Sequence, residues 1–395
     1  MRPLFVTHYA TANPLGLGRG ATLAGLRERR GGLRPMDLDG VALDTWIGRV
    51  SGVEDEPVVP RLAEFDCRNN RLAQLGLRQD GFEAALAQAR ARYGPERIAV
   101  LIGTSTSGME HCERAYRQRD PASGALPGWF KERYSFNLFS VADFVQRYLE
   151  LSGPAAVVST ACSSSAKVFA SAARMIEAGY ADAAVVGGVD SLCLTTLYGF
   201  DSLDLLSGEA CRPCDAARDG ISIGEAAGFA LLERHGRAPG GVALVGYGES
   251  SDAFHMSSPD PSGDGAYAAM RFALQRAGIA PHEVHYVNMH GTGTPANDRI
   301  EDRAIFRLFG ASVPCSSTKG WTGHTLGAAG IVEAIICALC LEANLIPGSL
   351  NLDRVDPAFE SHVAAAPETR NLRYVLSNSF GFGGSNCSLL FGRLA

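Results

Sequence analysis

Cys162 stands where a cysteine could act as a nucleophile, between a predicted buried strand and a predicted helix of small residues. The apolar residues 155–159 predict the strand, and the sequence then reads Thr-Ala-Cys-Ser-Ser-Ser. A helix N-terminus offers free N–H groups and positive potential, which stabilise a thiolate. A cysteine among small residues can also be a buried structural thiol, and the turn alone does not decide between the two interpretations.

Two histidines, His290 and His324, lie in turns rich in glycine and threonine rather than on helix faces. The first belongs to the segment NMHGTGTPAND and the second to STKGWTGHTLGAAG. Glycine permits close backbone approach, and a neutral imidazole can donate a hydrogen bond to a developing oxyanion. Each histidine alone could equally cap a turn, but together with Cys162 they predict a site for covalent catalysis.

The elements that must position these residues alternate between strands and helices. Residues 82–93 predict a helix, and short apolar runs predict strands at 4–8, 98–102, 155–159, 183–187 and 284–289. The segment after the His290 turn predicts another helix, for which Asp298 and Glu301 form a capping pair. Residues 328–341 are almost wholly apolar and predict a buried helix. This alternation is typical of an α/β protein.

The same order of strand, turn and helix occurs on both sides of a break rich in glycine and proline at residues 236–241. Two halves with one pattern suggest an internal duplication that has diverged beyond recognition by sequence identity. No low-complexity segment or long linker separates the halves, so we expect them to pack as a single body.

The composition argues against several classes of protein. The chain has 395 residues, of which 46% are apolar and 20% charged, and its net charge of −6 does not suit a broadly basic nucleic-acid binder. Its ten cysteines are scattered, many in apolar runs, like free thiols in a reducing cytoplasm. The N-terminus lacks a signal-peptide pattern, and no run of about 18 uncharged apolar residues would span a bilayer. We therefore expect a soluble, cytoplasmic protein.

Two further patterns could indicate metal ligands, and we interpret neither as a metal site. Cys211 and Cys214 have CxxC spacing, but no second pair of ligands stands near them in the sequence. His282 and His285 approach a strand without a carboxylate at metal-ligand spacing. We expect two surface histidines here and no metal.

Four separate segments resemble the β-ketoacyl synthase family, whose hallmark is a Cys-His-His set with a lysine shortly before the second histidine. They are the Cys162 turn, the two histidine segments and the closing NSFGFGGSN of residues 378–386, in family order over essentially the whole chain. Four motifs in one order make the resemblance specific. It implies a thiolase-like fold of two similar α/β halves, residues 1–237 and 238–395, packed as a five-layered α-β-α-β-α core.

The resemblance also implies a reaction, the decarboxylative Claisen condensation of a β-ketoacyl-carrier-protein synthase. Cys162 would accept an acyl group from a phosphopantetheine arm, and the backbone N–H groups of Cys162 and Phe382 would hold the thioester. His290 and His324 would stabilise the enolate that forms when malonyl carrier protein loses CO₂.

Lys319 would maintain the position and electrostatics of the histidine loop. We pair it with Glu333, because a carboxylate in an otherwise apolar helix needs a partner. A half-exposed glutamate is the alternative interpretation.

Other residues receive roles from the resemblance alone. Thr292 and Thr294 resemble the pair that hydrogen-bonds the pantetheine arm. Phe380 and Phe382, on a glycine-hinged loop, resemble the aromatic gate between the acyl pocket and the malonyl site. Met109 falls where the family lines its acyl pocket, although a plain core methionine is an equal alternative.

The partner that the resemblance implies is an acidic acyl carrier protein, whose arm carries the substrates, so we expect no separate cofactor. An acidic synthase needs a local basic docking patch. The candidates, each of which could also be an ordinary solvated charge, are Arg68, Arg71, Lys131 and Arg133. The family usually forms dimers, and the sequence leaves open a homodimer or a heterodimer with a chain-length partner.

Other functions are less compatible with these residues. A thiolase would use a second cysteine where this chain has Lys319 and His324, and a Cys-His-Asn enzyme would lack the second histidine. A non-catalytic chain-length partner would lack Cys162, so it is retained only as the alternative. The serine run after Cys162 looks more like polyketide-type synthases than fatty-acid enzymes. We predict a specialised bacterial pathway of the aryl-polyene pigment kind, with fatty-acid elongation left open.

Overall fold

The structure is a computed structural model that describes residues 1–235 and 241–394. Its strands are β1 Leu4–Asn13, β2 Gly16–Leu17, β3 Leu33–Pro35, β4 Trp46–Gly48, β5 Ile98–Gly103, β6 Ala155–Val158, β7 Ala183–Asp190, β8 Ile223–Gly224, β9 Ala226–Glu233, β10 Val242–Ser251, β11 Tyr286–Asn288, β12 Pro314–Ser316, β13 Leu345–Ile346, β14 His362–Val363, β15 Glu368–Thr369, β16 Tyr374–Gly381 and β17 Ser385–Arg393. Its helices are α1 Gly18–Glu28, α2 Arg68–Leu77, α3 Phe82–Tyr93, α4 Met109–Arg117, α5 Glu132–Ser135, α6 Ser140–Tyr148, α7 Ser164–Glu177, α8 Leu194–Asp201, α9 Asp264–Ala277, α10 Pro295–Phe309, α11 Lys319–Thr322 and α12 Ala329–Ala343.

Two groups of strands repeat one topology. The first strand group has the order β6-β5-β7-β9-β1, and the second strand group has the order β12-β11-β16-β17-β10. Numbered along the chain within each group, both orders are 3-2-4-5-1. In both groups the second strand pairs in parallel with the third and fourth, and the fifth is antiparallel to the fourth and first. An internal duplication produces this geometry.

Helices α7 and α12 lie between the two strand groups. α7 packs on β5 and β7, α12 packs on β9 and β16, and the two helices contact each other. Their apolar side chains join both groups in one buried cluster that includes Phe169, Ile335 and Phe391. On the outer faces, α2 and α6 cover the first group, and α9 and α10 cover the second. The result is five layers in the order α-β-α-β-α.

Helix α12 is the central helix of the core. The segment Leu326–Ala343, which contains α12 and the turn before it, is long and apolar enough to cross a bilayer, but 89% of it is buried inside the protein. Its composition therefore fits a helix that is covered by protein on all sides. The helix ends at Ala343, after which Asn344 adopts the left-handed conformation with φ of 53°.

The sequence predicted the main elements to within a few residues, and the exceptions have physical causes. Strand β6 is half-buried rather than buried, because it is the edge strand of the first group. The predicted capping pair is wrong, since no side chain caps α10, and Asp298 and Glu301 both accept hydrogen bonds from other turns. The expected boundary between residues 237 and 238 lies outside the described residues.

Candidate active site

The turn that carries Cys162 contains a residue in a conformation that side chains rarely adopt. Ala161 has a φ of 53°. Its carbonyl oxygen accepts hydrogen bonds from the Ser164 hydroxyl at 2.5 Å and the Ser105 hydroxyl at 3.3 Å. A left-handed residue between β6 and α7 reverses the chain sharply, and such strain is common at functional sites. The turn places Cys162 directly before Ser163, the N-cap of α7.

The thiol and the two imidazoles converge on one point. The sulfur of Cys162 and a ring nitrogen from each of His290 and His324 all lie within 4.8 Å of one another, and all three side chains are buried. The two imidazole centroids are 5.4 Å apart, with their planes at 84°. Three residues that are distant in the sequence thus form one site.

Both imidazoles are held as neutral hydrogen-bond donors. Nδ1 of His290 faces the Lys319 ammonium at 3.3 Å, and Nδ1 of His324 accepts from the Leu326 N–H at 3.1 Å. An Nδ1 that accepts leaves the ring proton on Nε2. Burial, together with the Lys319 charge, holds the pKa of both rings well below the usual histidine range. Each ring can therefore offer an Nε2–H to an oxyanion without itself being charged.

Lys319 is almost completely buried and makes three contacts at once. Its ammonium approaches Nδ1 of His290, donates to the backbone oxygen of the same residue and forms an ion pair with Glu333. Burial raises the pKa of the Glu333 carboxyl to about 7, although the lysine charge opposes this rise. The glutamate is thus a buried partner, not a half-exposed one, and the pair fixes the ammonium beside the His290 ring.

Cys162 is a thiol in the resting site. Burial raises its pKa to about 11, whereas the Lys319 charge and the backbone N–H groups of Phe382 and Cys162 itself lower it. The desolvation effect is larger, so the sulfur keeps its proton at neutral pH. The two N–H groups are also available to a carbonyl oxygen of an acyl group on the sulfur.

The carboxylate that holds the His290 turn belongs to Glu301, whose role was not predicted from the sequence. Glu301 accepts the N–H of His290 at 2.8 Å and the N–H of Gly291 at 2.7 Å, and Asn378 donates to it at 3.1 Å. Burial raises the pKa of Glu301 to about 7. The spacing of Asp298 and Glu301 is that of a pair that caps a helix N-terminus, which is why a cap was predicted there. Only the backbone path of the turn shows that Glu301 points back toward His290.

A cavity of about 260 Å³, which we call the active-site chamber, opens above the thiol and both histidines. Thr292 and Thr294 line it, with their hydroxyl oxygens 2.9 Å apart. Phe380 also lines it, with its ring 5.9 Å from that of His290. Phe382 lies at its mouth, 37% exposed and 5.6 Å from the ring of Phe200. The ring of Phe200, a residue not predicted from the sequence, thus packs against that of Phe382.

Met109 and the basic residues lie outside this chamber. Met109 is the half-buried first residue of α4 and is not among the chamber residues. A separate cleft of about 1020 Å³ is lined by three of the basic candidates and by acidic residues such as Glu110. Arg68 is paired with Glu225 and Glu54, and Arg71 with Asp66. Both arginines thus have carboxylate partners within this chain, whereas Lys131 and Arg133 are exposed.

The discounted cysteines are buried thiols. The sulfur of Cys211 faces the backbone oxygen of Lys319 at 3.3 Å, and that of Cys214 faces the sulfur of Met289 at 3.7 Å. Among the described residues, Cys162, His290 and His324 form the only group of three or more His, Cys, Asp or Glu side chains whose ligand atoms are close enough to share a metal ion. Protonated Nε2 atoms and a nearby ammonium group do not favour a cation there.

Family models match most of the chain. The "Beta-ketoacyl synthase, N-terminal domain" matches residues 72–238, and the "Beta-ketoacyl synthase, C-terminal domain" matches residues 242–353. A 3-oxoacyl-[acyl-carrier-protein] synthase 2 of Rhizobium meliloti (strain 1021) is 41% identical over 336 aligned residues, which cover 78% of this chain and 79% of the relative.

Solved structures share the whole fold. The ketosynthase ApeO of Xenorhabdus doucetiae, solved in complex with its chain length factor ApeC, matches with a TM-score of 0.89 and 40% identity, over 99% of this chain and 98% of the other. The ishigamide ketosynthase/chain length factor matches with a TM-score of 0.89 and 28% identity over the full length of both chains. These similarities confirm the thiolase-like fold that the sequence motifs implied.

Proposed function

Because this chain belongs to the β-ketoacyl synthase family, we propose that it is a β-ketoacyl-carrier-protein synthase that uses Cys162 as its nucleophile. One observation carries the proposal: the thiol, His290 and His324 lie within 4.8 Å of one another, with both rings protonated on Nε2. A thiol beside two neutral donors suits the formation of a thioester and the stabilisation of an enolate.

The first half-reaction transfers an acyl group to Cys162. The sulfur attacks the acyl thioester on the phosphopantetheine arm, and the backbone N–H groups of Cys162 and Phe382 hold the tetrahedral oxyanion. The bond to the arm then breaks, and the arm leaves as a thiol with the proton that Cys162 loses. This exchange fits a nucleophile whose pKa of about 11 keeps it protonated at rest.

The second half-reaction forms the carbon–carbon bond. Malonyl carrier protein loses CO₂, and the electron pair of the broken bond becomes an enolate whose oxygen accepts hydrogen bonds from His290 and His324. The enolate carbon attacks the thioester on Cys162, and the sulfur leaves as a thiolate that takes up a proton from the solvent. The Lys319 ammonium keeps Nδ1 of His290 unprotonated, so that Nε2–H faces the enolate.

The residues of the chamber mouth guide the arm. Thr292 and Thr294 hydrogen-bond the pantetheine, while Phe380 and Phe382 separate the acyl site from the malonyl site. Met109, at the start of α4 and outside the chamber, lines the part of the acyl pocket that extends beyond it. Both substrates arrive on phosphopantetheine arms, so the reaction needs no free cofactor.

We also propose how the chain is divided, how it assembles and where it works. The chain consists of two halves, residues 1–237 and 238–395, and it forms a dimer through the edge strand β6. The ApeO complex favours a heterodimer with a chain-length partner and a specialised polyketide or polyene pathway, whereas the Rhizobium relative favours fatty-acid synthesis. The ten free cysteines suit the reducing cytoplasm.

Incubation with a panel of acyl carrier proteins tests the proposal. We expect peptide mass spectrometry to find the acyl group on Cys162 and to identify the preferred chain length. A Cys162→Ala variant should neither load nor condense, whereas Cys112→Ala, at a buried free cysteine outside the chamber, should do both. Condensation by the Cys162→Ala variant would show that the nucleophile is elsewhere.

A further inference from the structure

Helix α8 depends on a residue of another helix for its N-terminal cap. Cys193, the N-cap residue, has extended backbone angles, with φ of −151° and ψ of 158°, and its side chain caps none of the described backbone groups. Glu113 of α4 supplies the acceptors instead. Its carboxylate accepts the N–H of Leu194 at 3.0 Å, the N–H of Thr195 at 2.7 Å and the Thr195 hydroxyl at 2.6 Å. A negative charge at this position also suits the helix dipole.

This cap matters because α8 is short and buries few of its own side chains. Of its eight residues, all of which the structure describes, only Leu197 is buried. A helix of this length is not stable without tertiary contacts. The carboxylate of Glu113 therefore fixes the position of α8 from its N-terminal end.

The other end of α8 carries an aromatic ring of the chamber. Phe200 lines the active-site chamber, and its ring packs against that of Phe382 with the two centroids 5.6 Å apart. The backbone of the Phe382 loop is held separately, because the N–H of Gly383 donates to the backbone oxygen of Met256 at 2.8 Å. A displacement of α8 would thus free the ring of Phe382 while its backbone stays in place.

We propose that Glu113 is a positioning residue that keeps water away from the acyl group on Cys162, by holding Phe200 where the ring of Phe382 packs against it. This inference rests on the proposed function, because it requires an acyl thioester on Cys162. In hydrolysis, a water molecule attacks the carbonyl carbon of that thioester, the carbon–sulfur bond breaks, the sulfur takes up a proton and the acyl group leaves as a carboxylic acid. A ring of Phe382 that is packed against Phe200 excludes this water.

The lifetime of the acyl group on Cys162 tests this role. Protein acylated by acyl carrier protein is separated from the donor, and hydrolysis without malonyl carrier protein is followed by mass spectrometry. We expect Glu113→Ala to hydrolyse the adduct about tenfold faster than wild type, the shift in a closed–open equilibrium that the loss of one helix cap produces. Acyl loading should stay within about threefold of the wild-type rate, because loading needs an open mouth and the N–H of Phe382 stays in place.

Further variants show whether the contact between α4 and α8 is responsible. Glu113→Gln keeps an acceptor oxygen at the same reach and should restore most of the wild-type lifetime. Glu110→Ala, the matched control, removes a glutamate from the first turn of α4 and should leave the lifetime unchanged. Should Glu113→Ala not fold, Thr195→Ala removes the hydroxyl that Glu113 accepts. This variant should speed hydrolysis about threefold, the effect of one hydrogen bond.

A double variant tests whether Glu113 acts through Phe200. Phe200→Ala alone should hydrolyse the adduct faster than wild type, and the addition of Glu113→Ala should produce no further increase. Additive effects would overturn the proposal, as would a wild-type lifetime in Phe200→Ala or in both Glu113→Ala and Thr195→Ala. Equal losses of lifetime in Glu113→Ala and its Glu110→Ala control would overturn it too. If wild-type Cys162 takes up no acyl group, the proposed function itself fails.

Discussion

At the scale of single residues, the position of one proton on His290 depends on Lys319. The ammonium lies 3.3 Å from Nδ1 of His290 and pairs with Glu333. A neutral side chain in its place would free Nδ1, and the ring could then carry its proton on the wrong nitrogen. The lysine is thus a positioning residue for the imidazole that contacts the substrate.

Lys319→Met therefore separates the two half-reactions. Decarboxylation of malonyl carrier protein should fall about 10²-fold to 10³-fold, the cost of losing one well-placed oxyanion donor. Acyl loading of Cys162 should decline far less, because the N–H groups of Cys162 and Phe382 remain. Lys167→Met, at a lysine that pairs with Glu249 and does not line the chamber, is the control. Equal losses in loading and decarboxylation would contradict the positioning role.

The pH dependence of Cys162 follows from its burial. Since its pKa is raised to about 11, the thiolate fraction rises with pH throughout the neutral range. The rate of alkylation by iodoacetamide, followed by mass spectrometry of the Cys162 peptide, should rise about tenfold per pH unit from 7 to 9. A rate that levels off below pH 8 would mean that the resting enzyme already holds a thiolate.

Sequence motifs predicted the reacting residues but not all of the residues that hold them in place. Cys162, His290 and His324 stand in glycine-rich or serine-rich turns whose composition is unusual enough to be noticed. Glu301 lies on an ordinary amphipathic helix, and its spacing from Asp298 imitates a cap. Its contacts with the His290 turn depend on how the chain folds back, which local sequence does not encode.

At the scale of elements, the Phe382 loop must pass very close to the nucleophile turn. A Cβ atom on Gly381 would lie 2.7 Å from the backbone oxygen of Thr160 and 3.3 Å from the backbone nitrogen of Cys162. Backbone atoms cannot rotate away, so an added methyl group must displace the loop. The N–H of Phe382 would then move away from the sulfur.

Gly381→Ala should accordingly slow acyl loading of Cys162 by about 10²-fold, the effect of removing one oxyanion donor. Gly199→Ala is the matched control, because a Cβ there contacts nothing within 4 Å. Gly199 also lies on α8, which carries the chamber residue Phe200. The single-turnover rate of loading is the measurement. A normal rate in Gly381→Ala would show that the N–H of Phe382 does not assist the reaction.

The edge strand β6 offers a second test of an element. The backbone oxygens of Pro154 and Val158 accept hydrogen bonds from the β5 side. Because the hydrogen-bonding direction alternates from one residue to the next along a strand, the N–H and C=O groups of Val157 point away from β5. Val157→Pro therefore removes an outward N–H and no bond of the β5 ladder. If the dimer forms across this edge, the variant should elute as a folded monomer in size-exclusion chromatography with light scattering. An intact dimer would place the interface elsewhere.

At the scale of the whole molecule, the layered architecture was predicted before the structure was known, whereas the exposure of the edge strand β6 was not. Alternating strands and helices predicted an α/β protein, the almost wholly apolar residues 328–341 predicted a buried helix, and the family resemblance implied the five layers. The exposure of β6 depends on its place at the end of the strand order, which the run of small apolar residues from 155 to 159 does not reveal. Long-range order of this kind follows from topology rather than from local pattern.

The duplicated topology explains why the site lies where it does. The first half supplies the thiol at the N-terminal end of α7, and the second half supplies both imidazoles from turns beside α12. Because α7 and α12 pack together in the middle layer, the two half-sites meet. Neither half alone contains both a nucleophile and its oxyanion donors.

The central claim is that one thiol and two imidazoles act in sequence at a single centre, and a single-turnover experiment tests it most directly. Wild-type protein acylated on Cys162 is mixed with malonyl carrier protein, and the adduct and the released CO₂ are followed together. We predict that the adduct disappears with one CO₂ per thiol, whereas His290→Ala and His324→Ala load normally and keep the adduct. Discharge at the wild-type rate in both histidine variants, or an adduct on another residue, would contradict the account.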